Sequence, residues 1–153
     1  MVASNSTQLK LDALAQQLFE VATRFSLAVP RSRRRNGDLK DIEYLTLSIL
    51  QHREPLIVGD LQRQLGILPA QMSRIIRGLE TRDRPLIVCR INSLDKRKID
   101  VALTAAGRAA VQAYQAARIR ALIDVLAGLS LDVLVDIQEL LNRLEIALAN
   151  RNC

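Results

Sequence analysis

Two short amphipathic helices followed by two alternating runs, all between residues 59 and 104, restrict the fold of this chain more than any other feature. Residues 59–65 predict the first helix, and Gly66 lies where a helix commonly ends in the left-handed conformation. Pro69 suits the first turn of the second helix, whose inward positions recur at i, i+3, i+4 and i+7: Met72, Ile75, Ile76 and Leu79. Two short helices joined by a glycine-containing turn predict a helix-turn-helix.

Two strand-like runs follow the helix pair. They are "PLIVCRIN", residues 85–92, and "KIDVALT", residues 98–104, in which Ile99, Val101 and Leu103 alternate with the residues between them. The stretch between the runs is the predicted tip of a β-hairpin, or wing. The segment "LDKRKIDVALTAAG" therefore contains the wing tip, its return strand and the first turn of the next helix.

Longer amphipathic helices are predicted on both sides of this region. The first should end near Pro30, and its apolar stripe consists of Leu11, Leu14, Leu18, Val21, Phe25 and Ala28. Another covers about residues 39–51, a third covers 105–129 with Thr104 as cap, and the last follows Ser130 as N-cap. The stripe of the last helix is Leu134, Ile137, Leu141, Leu144 and Leu148. These helices carry more apolar surface than a small central domain can cover, so we expect a partner chain.

Positive charge is concentrated around the helix pair and the hairpin. The whole chain has 22 Lys and Arg against 16 Asp and Glu, a formal charge of +6, and residues 69–98 hold eight basic and three acidic residues, a local charge of +5. Four polar side chains of the second short helix fall off its apolar stripe: Gln71, Ser73, Arg74 and Arg77. Hydroxyl and amide groups suit base edges, and guanidinium groups suit guanine or phosphate. The alternative is a face that is simply solvated.

The segment from about residue 58 to 107 resembles the winged helix-turn-helix of the MarR family of bacterial transcription regulators. "DKRKIDVALTAAG" matches the wing signature of that family, an Asp, any residue, an Arg, then a strand ending in Leu-Thr and a Gly three residues on. The resemblance implies one mainly α-helical MarR-like chain, 1–153, with a winged helix-turn-helix DNA-binding region at 38–107 and a two-stranded β-wing. Residues 1–37 and 108–153 would be dimerisation helices that make an obligate homodimer.

The same resemblance implies binding to a pseudo-palindromic operator in double-stranded DNA. By analogy, Asp95 holds Arg97 for entry into the minor groove, while Ser73, Arg74 and Arg77 enter the major groove. The complete expected DNA-binding set is Gln71, Ser73, Arg74, Arg77, Asp95, Lys96, Arg97 and Lys98. A small anionic or aromatic effector is expected between the dimer helices and the winged domain. We expect a repressor, because occupying an operator requires no further contacts.

Other functional classes find less support in the residues. The chain lacks the spacings of a nucleophile with its base, a phosphate-cradling loop or a metal cluster, so we expect no enzyme, cofactor or metal. No apolar stretch approaches the roughly 20 residues that span a bilayer, and the polar N-terminus does not resemble a secretory signal, so we expect a cytoplasmic protein without a membrane partner.

Two features keep more than one interpretation. Cys89 is either a buried strand cysteine or a redox sensor, and the loop "RSRRR", residues 31–35, touches phosphate, binds an acidic effector or is solvated. The competing hypothesis is a non-catalytic helical interaction module that keeps the winged fold without binding DNA.

Overall fold

The computed structural model describes residues 2–28 and 38–151. Its helices are α1 (Val2–Ala28), α2 (Asp41–His52), α3 (Val58–Leu65), α4 (Pro69–Glu80), α5 (Ala105–Leu126) and α6 (Leu131–Arg151), and its strands are β1 (Leu56–Ile57), β2 (Ile87–Ile91) and β3 (Ile99–Leu103). The chain divides into two compact units, one of residues 1–30 and 118–153 and one of residues 31–117, the winged unit. The predicted mainly helical, winged helix-turn-helix fold class is confirmed.

Local backbone chemistry explains the turn between α3 and α4. Gly66 ends α3 with φ of 63°, a left-handed conformation that costs glycine little, and its N–H donates to the carbonyl of Arg63. Leu68 is the extended N-cap of α4, and Pro69 occupies the first turn, where a missing N–H leaves no helical hydrogen bond unmade. The helix-turn-helix is therefore set by the glycine and the proline that sequence reasoning singled out.

The sheet has three antiparallel strands in the order β1–β3–β2. Strand β2 pairs with β3 in the register Ile87 with Leu103 and Ile91 with Ile99, which forms the expected hairpin. Strand β1 adds to the other edge of β3 through Leu56, opposite Val101. Only two strands are expected from the sequence, because a strand of two residues such as β1 is too short to show alternation.

The core of the winged unit brings α2, α3, α4, the sheet and the start of α5 together. Its fully buried hydrophobic side chains are Leu47, Leu50, Leu61, Met72, Leu79, Ile87, Val101 and Val111. Each such side chain removed from water contributes about 1.5–3 kcal/mol to folding. Because α4 supplies two of these residues, its rotation about its own axis is fixed by the core.

The start of α5 lies directly against the chain that leads into β2. The Thr104 hydroxyl donates to the carbonyl of Pro85 at 2.6 Å and accepts the N–H of Gly107 at 3.0 Å, which confirms Thr104 as the cap. A Cβ on Gly107 would lie 2.0 Å from the carbonyl oxygen of Leu86. Gly107 is therefore required for this close approach.

In the first unit, α1 and α6 leave most of their apolar side chains in water. Leu14 is 62% exposed in α1, and Leu141 is 50% exposed in α6.

The helix boundaries differ slightly from those expected. Helix α2 begins two residues later than expected, and α5 ends at Leu126 rather than at residue 129. The end of the first helix near Pro30 falls outside the described residues. No helix in the described part of the chain is long and apolar enough to cross a membrane.

Candidate nucleic-acid interface

The outward face of α4 presents polar and cationic side chains. The four α4 residues of the expected DNA-binding set are all exposed, while their neighbours on the opposite face are buried: Gln71, Ser73, Arg74 and Arg77 against Met72, Ile75 and Leu79. The Ser73 hydroxyl donates to the carbonyl of Pro69 at 3.0 Å, so in this rotamer its oxygen is available to a partner as an acceptor. The core thus holds one face of α4 and leaves the other free for contacts.

A network around Asn92 shapes the wing tip. The Asn92 N–H donates to the carbonyl of Lys98 at 2.9 Å, and its side-chain oxygen accepts the N–H groups of Leu94 and Asp95, each at 2.9 Å. The side-chain amide of Asn92 donates to both carboxylate oxygens of Asp100, at 2.9 and 3.1 Å. Sequence reasoning missed Asn92 and Asp100, although an Asn at the start of a hairpin loop is a common signal for such a turn.

Asp95 orients Arg97 at the tip. Its Oδ1 accepts the Arg97 backbone N–H and Nε, both at 3.1 Å, and the ammonium of Lys98 lies 3.8 Å from Oδ2. The hydrogen bond from the Arg97 side chain lowers the pKa of Asp95, with the Arg97 backbone bond and Lys98 adding to it. The Arg97 side chain is 91% exposed. Arg97 is therefore both oriented and accessible, and Lys96 beside it is exposed as well.

One of the eight basic residues in 69–98 stabilises the fold and is not available to bind DNA. Arg82, just beyond α4, forms an ion pair with Glu43 of α2 at 2.9 Å, and its side chain is 23% exposed. The buried Glu43 also accepts the backbone N–H of Lys40 at 2.8 Å, which closes the first turn of α2. Arg82 belongs to the local charge of +5, and the sequence gives no sign of its partner because 39 residues separate the pair.

Cys89 and His52, the single histidine of the sequence, are two further side chains with redox or metal-binding chemistry. Burial and, secondarily, the carboxylate of Glu80 raise the pKa of the half-buried Cys89 thiol to about 11, so Cys89 is protonated at neutral pH. His52 is exposed at the end of α2. Within residues 2–28 and 38–151, no group of three His, Cys, Asp or Glu side chains could hold a metal ion. The loop "RSRRR" and Cys153 lie outside the described residues.

Comparison with known proteins agrees with this geometry. Residues 39–99 match the model of the MarR family, which contains α2, the helix-turn-helix and the wing as far as the first residue of β3. Over these residues the chain is similar to the MarR family. The resemblance drawn from the wing signature is thereby confirmed, and MarR-family regulators are generally non-enzymatic transcription factors.

Solved structures share the fold across most of this chain. The transcriptional regulator Tm0710 from Thermotoga maritima has a TM-score of 0.72 at 15% identity, covering 92% of this chain and 96% of that one. A mutant of MepR from S. aureus bound to an oligodeoxyribonucleotide has a TM-score of 0.61 at 18% identity, covering 88% and 97%. BpsR from Bordetella bronchiseptica, whose DNA binding is regulated by 6-hydroxynicotinic acid, has a TM-score of 0.60 at 21% identity, covering 87% and 98%. None of the curated proteins matches this sequence.

Proposed function

We propose that this chain is a homodimeric transcriptional repressor that binds a pseudo-palindromic operator and is released from it by a small anionic or aromatic effector. The observation that supports this most directly is the wing tip, where Asp95 orients an Arg97 side chain that is 91% exposed. A cation that is held in place but left in water is suited to a polyanionic partner. Such an arginine is favoured in a narrow minor groove, which concentrates negative potential.

Helix α4 would read the major groove. Arg74 and Arg77 are exposed, so each guanidinium can form paired hydrogen bonds with a guanine edge or bind a phosphate. Gln71 and the Ser73 oxygen add groups that can bind base edges. Lys96 and Lys98 on the wing would contact phosphates and position the domain without reading sequence.

The exposed apolar residues of α1 and α6 support a homodimer. A monomer rarely leaves contiguous apolar patches of more than a few hundred Å² in water, and a second copy would cover the stripes of both helices. Residues 1–37 and 108–153 would then form the dimer, and residues 38–107 would bind DNA. Two-fold symmetry would place the two α4 helices in major grooves roughly 34 Å apart, which requires an operator of matching symmetry.

The fold neighbours support the DNA and effector parts of the proposal by analogy. The MepR mutant was solved with an oligodeoxyribonucleotide, and the DNA binding of BpsR responds to 6-hydroxynicotinic acid, which is both aromatic and anionic. An effector of this chemistry would act here by binding the DNA-free form more tightly than the bound form. Gel-shift titration of the complex with aromatic carboxylates checks this part separately.

Fluorescence anisotropy tests the DNA-binding part. A duplex selected from a random pool by the wild-type protein is titrated with wild type, Arg74→Ala, Arg97→Ala and, as a control for loss of charge, Arg143→Ala in α6, where the side chain is 75% exposed. Arg74→Ala should lose about 1–3 kcal/mol of discrimination between selected and random duplex. Arg97→Ala should bind more weakly and lower the slope of log affinity against log salt by about one. Arg143→Ala should match wild type.

Failure would have a clear form. If the wild type enriches no sequence and its weak DNA binding is unaffected by Arg74→Ala and Arg97→Ala, the chain does not act through this face. The hypothesis of a helical interaction module that does not bind DNA would then be preferred, because that hypothesis assigns no DNA contact to Arg74 or Arg97.

A further inference from the structure

The wing carries apolar side chains in water as well as cations. Leu94 at the tip is 96% exposed, and Ile91 and Ile99 at the end of the hairpin are 70% and 46% exposed. Ile91 and Ile99 are cross-strand partners that continue the core-facing side of the sheet past the core. A single exposed leucine would need no explanation, but this hairpin leaves three large apolar side chains exposed within nine positions, and we refer to them as the wing patch.

The backbone around Leu94 is fixed rather than loose. The Asn92 side chain accepts the N–H groups of both Leu94 and Asp95, and the N–H of Lys98 donates to the carbonyl of Asp95 at 2.9 Å. Two tight turns thus hold residues 92–98. An apolar group on a fixed turn loses little conformational freedom when it enters a binding site.

Charge around the patch indicates what it contacts. Residues 90–100 contain four cations, Arg90, Lys96, Arg97 and Lys98, against two anions, Asp95 and Asp100. Asp95 is bonded to Arg97, and Asp100 accepts from the Asn92 amide and lies opposite Arg90. An apolar centre with a cationic surround matches the minor groove of DNA, whose walls are deoxyribose rings and whose rims are phosphates. An ordinary acidic protein surface would match the cations and leave the apolar centre without a partner.

We propose that Leu94 is an apolar wedge that enters the minor groove beside Arg97, partly unstacks one base step and bends the operator. This rests on the proposed DNA-binding function and adds to it a specific contact and a change in DNA shape. Leucine is among the side chains that proteins insert between base steps from the minor groove, with kinks of about 20–90°. Ile91 and Ile99 would pack against the sugar wall as the wing enters.

The wedge makes a contribution that differs from that of Arg97. Removing a charge changes the salt dependence of binding, because fewer counterions are released, whereas removing an apolar group does not. Leu94→Ala should therefore weaken binding to the selected duplex by at least about tenfold, as expected if a leucine side chain leaves water on binding, with an unchanged salt slope. Leu94→Met keeps the length and apolar character and should stay near wild type.

The experiment measures affinity, salt slope and bend together on one selected duplex that carries donor and acceptor dyes at its ends. Wild type and Leu94→Met should raise energy transfer between the ends, and Leu94→Ala should raise it clearly less at saturating protein. All three should have the same unfolding midpoint, because Leu94 is almost fully exposed.

Several results would overturn the wedge. Wild-type affinity and bend in Leu94→Ala would do so while leaving the proposed function intact, and so would a loss of affinity with no change in bend. Leu94-dependent binding to phosphatidylserine vesicles, without bending of the duplex, would assign the patch to a membrane surface instead. If the wild type enriches no duplex at all, the proposed function and the wedge fail together.

Discussion

Replacing Gly107 with alanine should destabilise the winged unit, although glycine to alanine within a helix normally stabilises it by about 1 kcal/mol. The new Cβ would lie 2.0 Å from the carbonyl oxygen of Leu86 and 3.1 Å from the Cδ2 of Leu103. The first contact is with backbone, so it cannot be relieved by a side-chain rotation. Helix α5 and the entry to β2 would have to separate, which would strain the two Thr104 hydrogen bonds as well.

The magnitude follows from the two opposing effects. Forcing an extra carbon into a packed site costs about 1–3 kcal/mol, and occasionally more. At 2.0 Å from a backbone oxygen, we expect the upper part of that range, which exceeds the gain in helix propensity. The net loss in the free energy of unfolding should be about 2 kcal/mol.

Gly78 in α4 provides a matched control. It is also a helical glycine, but a Cβ added there would meet nothing closer than the Glu43 Oε1 at 4.0 Å. Gly78→Ala should therefore stabilise the protein by about 0.5–1 kcal/mol. Urea unfolding followed by circular dichroism gives both values, at one fixed protein concentration because the proposed dimer would make stability depend on concentration. Equal stabilisation by the two substitutions would refute the close approach at Gly107.

Three further predictions concern ionisable groups. Arg82→Ala should lower the free energy of unfolding by about 3 kcal/mol, since it leaves the buried Glu43 carboxylate without its charged partner, and urea unfolding in which the variant matches wild type would contradict this. The hydrogen bond from Arg108, and then that from the Leu103 N–H, lower the pKa of Glu54 in the folded protein below its usual value of 4.5. The ionised Glu54 therefore stabilises the fold above pH 4.5, and this stabilisation is lost as the pH falls through the pKa that Glu54 has in the folded protein. The stability of Glu54→Gln relative to wild type should therefore be lowest near neutrality and recover in acid, as measured by unfolding from pH 3 to 7. Folding raises the pKa of the Cys89 thiol from 9.0 to about 11, so less of the reactive thiolate is present in the folded protein. In a Cys153→Ser background, Cys89 should react with iodoacetamide at pH 8 roughly 100-fold more slowly in the folded than in the urea-unfolded protein. Equal rates would restore the hypothesis that Cys89 is a redox sensor.

Local signals made the helix-turn-helix predictable. Gly66 and Pro69 act through their own backbone preferences, and the stripe of α4 is visible within twelve residues, so the sequence contains all that is needed. The same holds for Asp95 and Arg97, which lie two positions apart and bond within one turn. Predictions that depend on neighbours in sequence survive because the chain between the partners is short.

The features that sequence reasoning missed depend on distant partners. The ion pair of Arg82 with Glu43 spans 39 residues, and the bond from the Leu103 N–H to Glu54 spans 49. Strand β1 is recognisable only through its pairing with β3. In each case a residue type that is common on surfaces acquires its role from a group that the fold brings to it, and no spacing in the sequence records that contact.

The division of charges between folding and binding has a consequence for how salt should affect this protein. The carboxylate of Glu43 pairs with Arg82 where both side chains are largely buried, so salt screens this pair less than an exposed one. The cations of α4 and the wing tip face water, where dissolved ions compete with DNA directly. Raising salt should therefore weaken DNA binding steeply while the winged unit stays folded. A measured salt slope then reports the number of phosphate contacts rather than the loss of the folded protein.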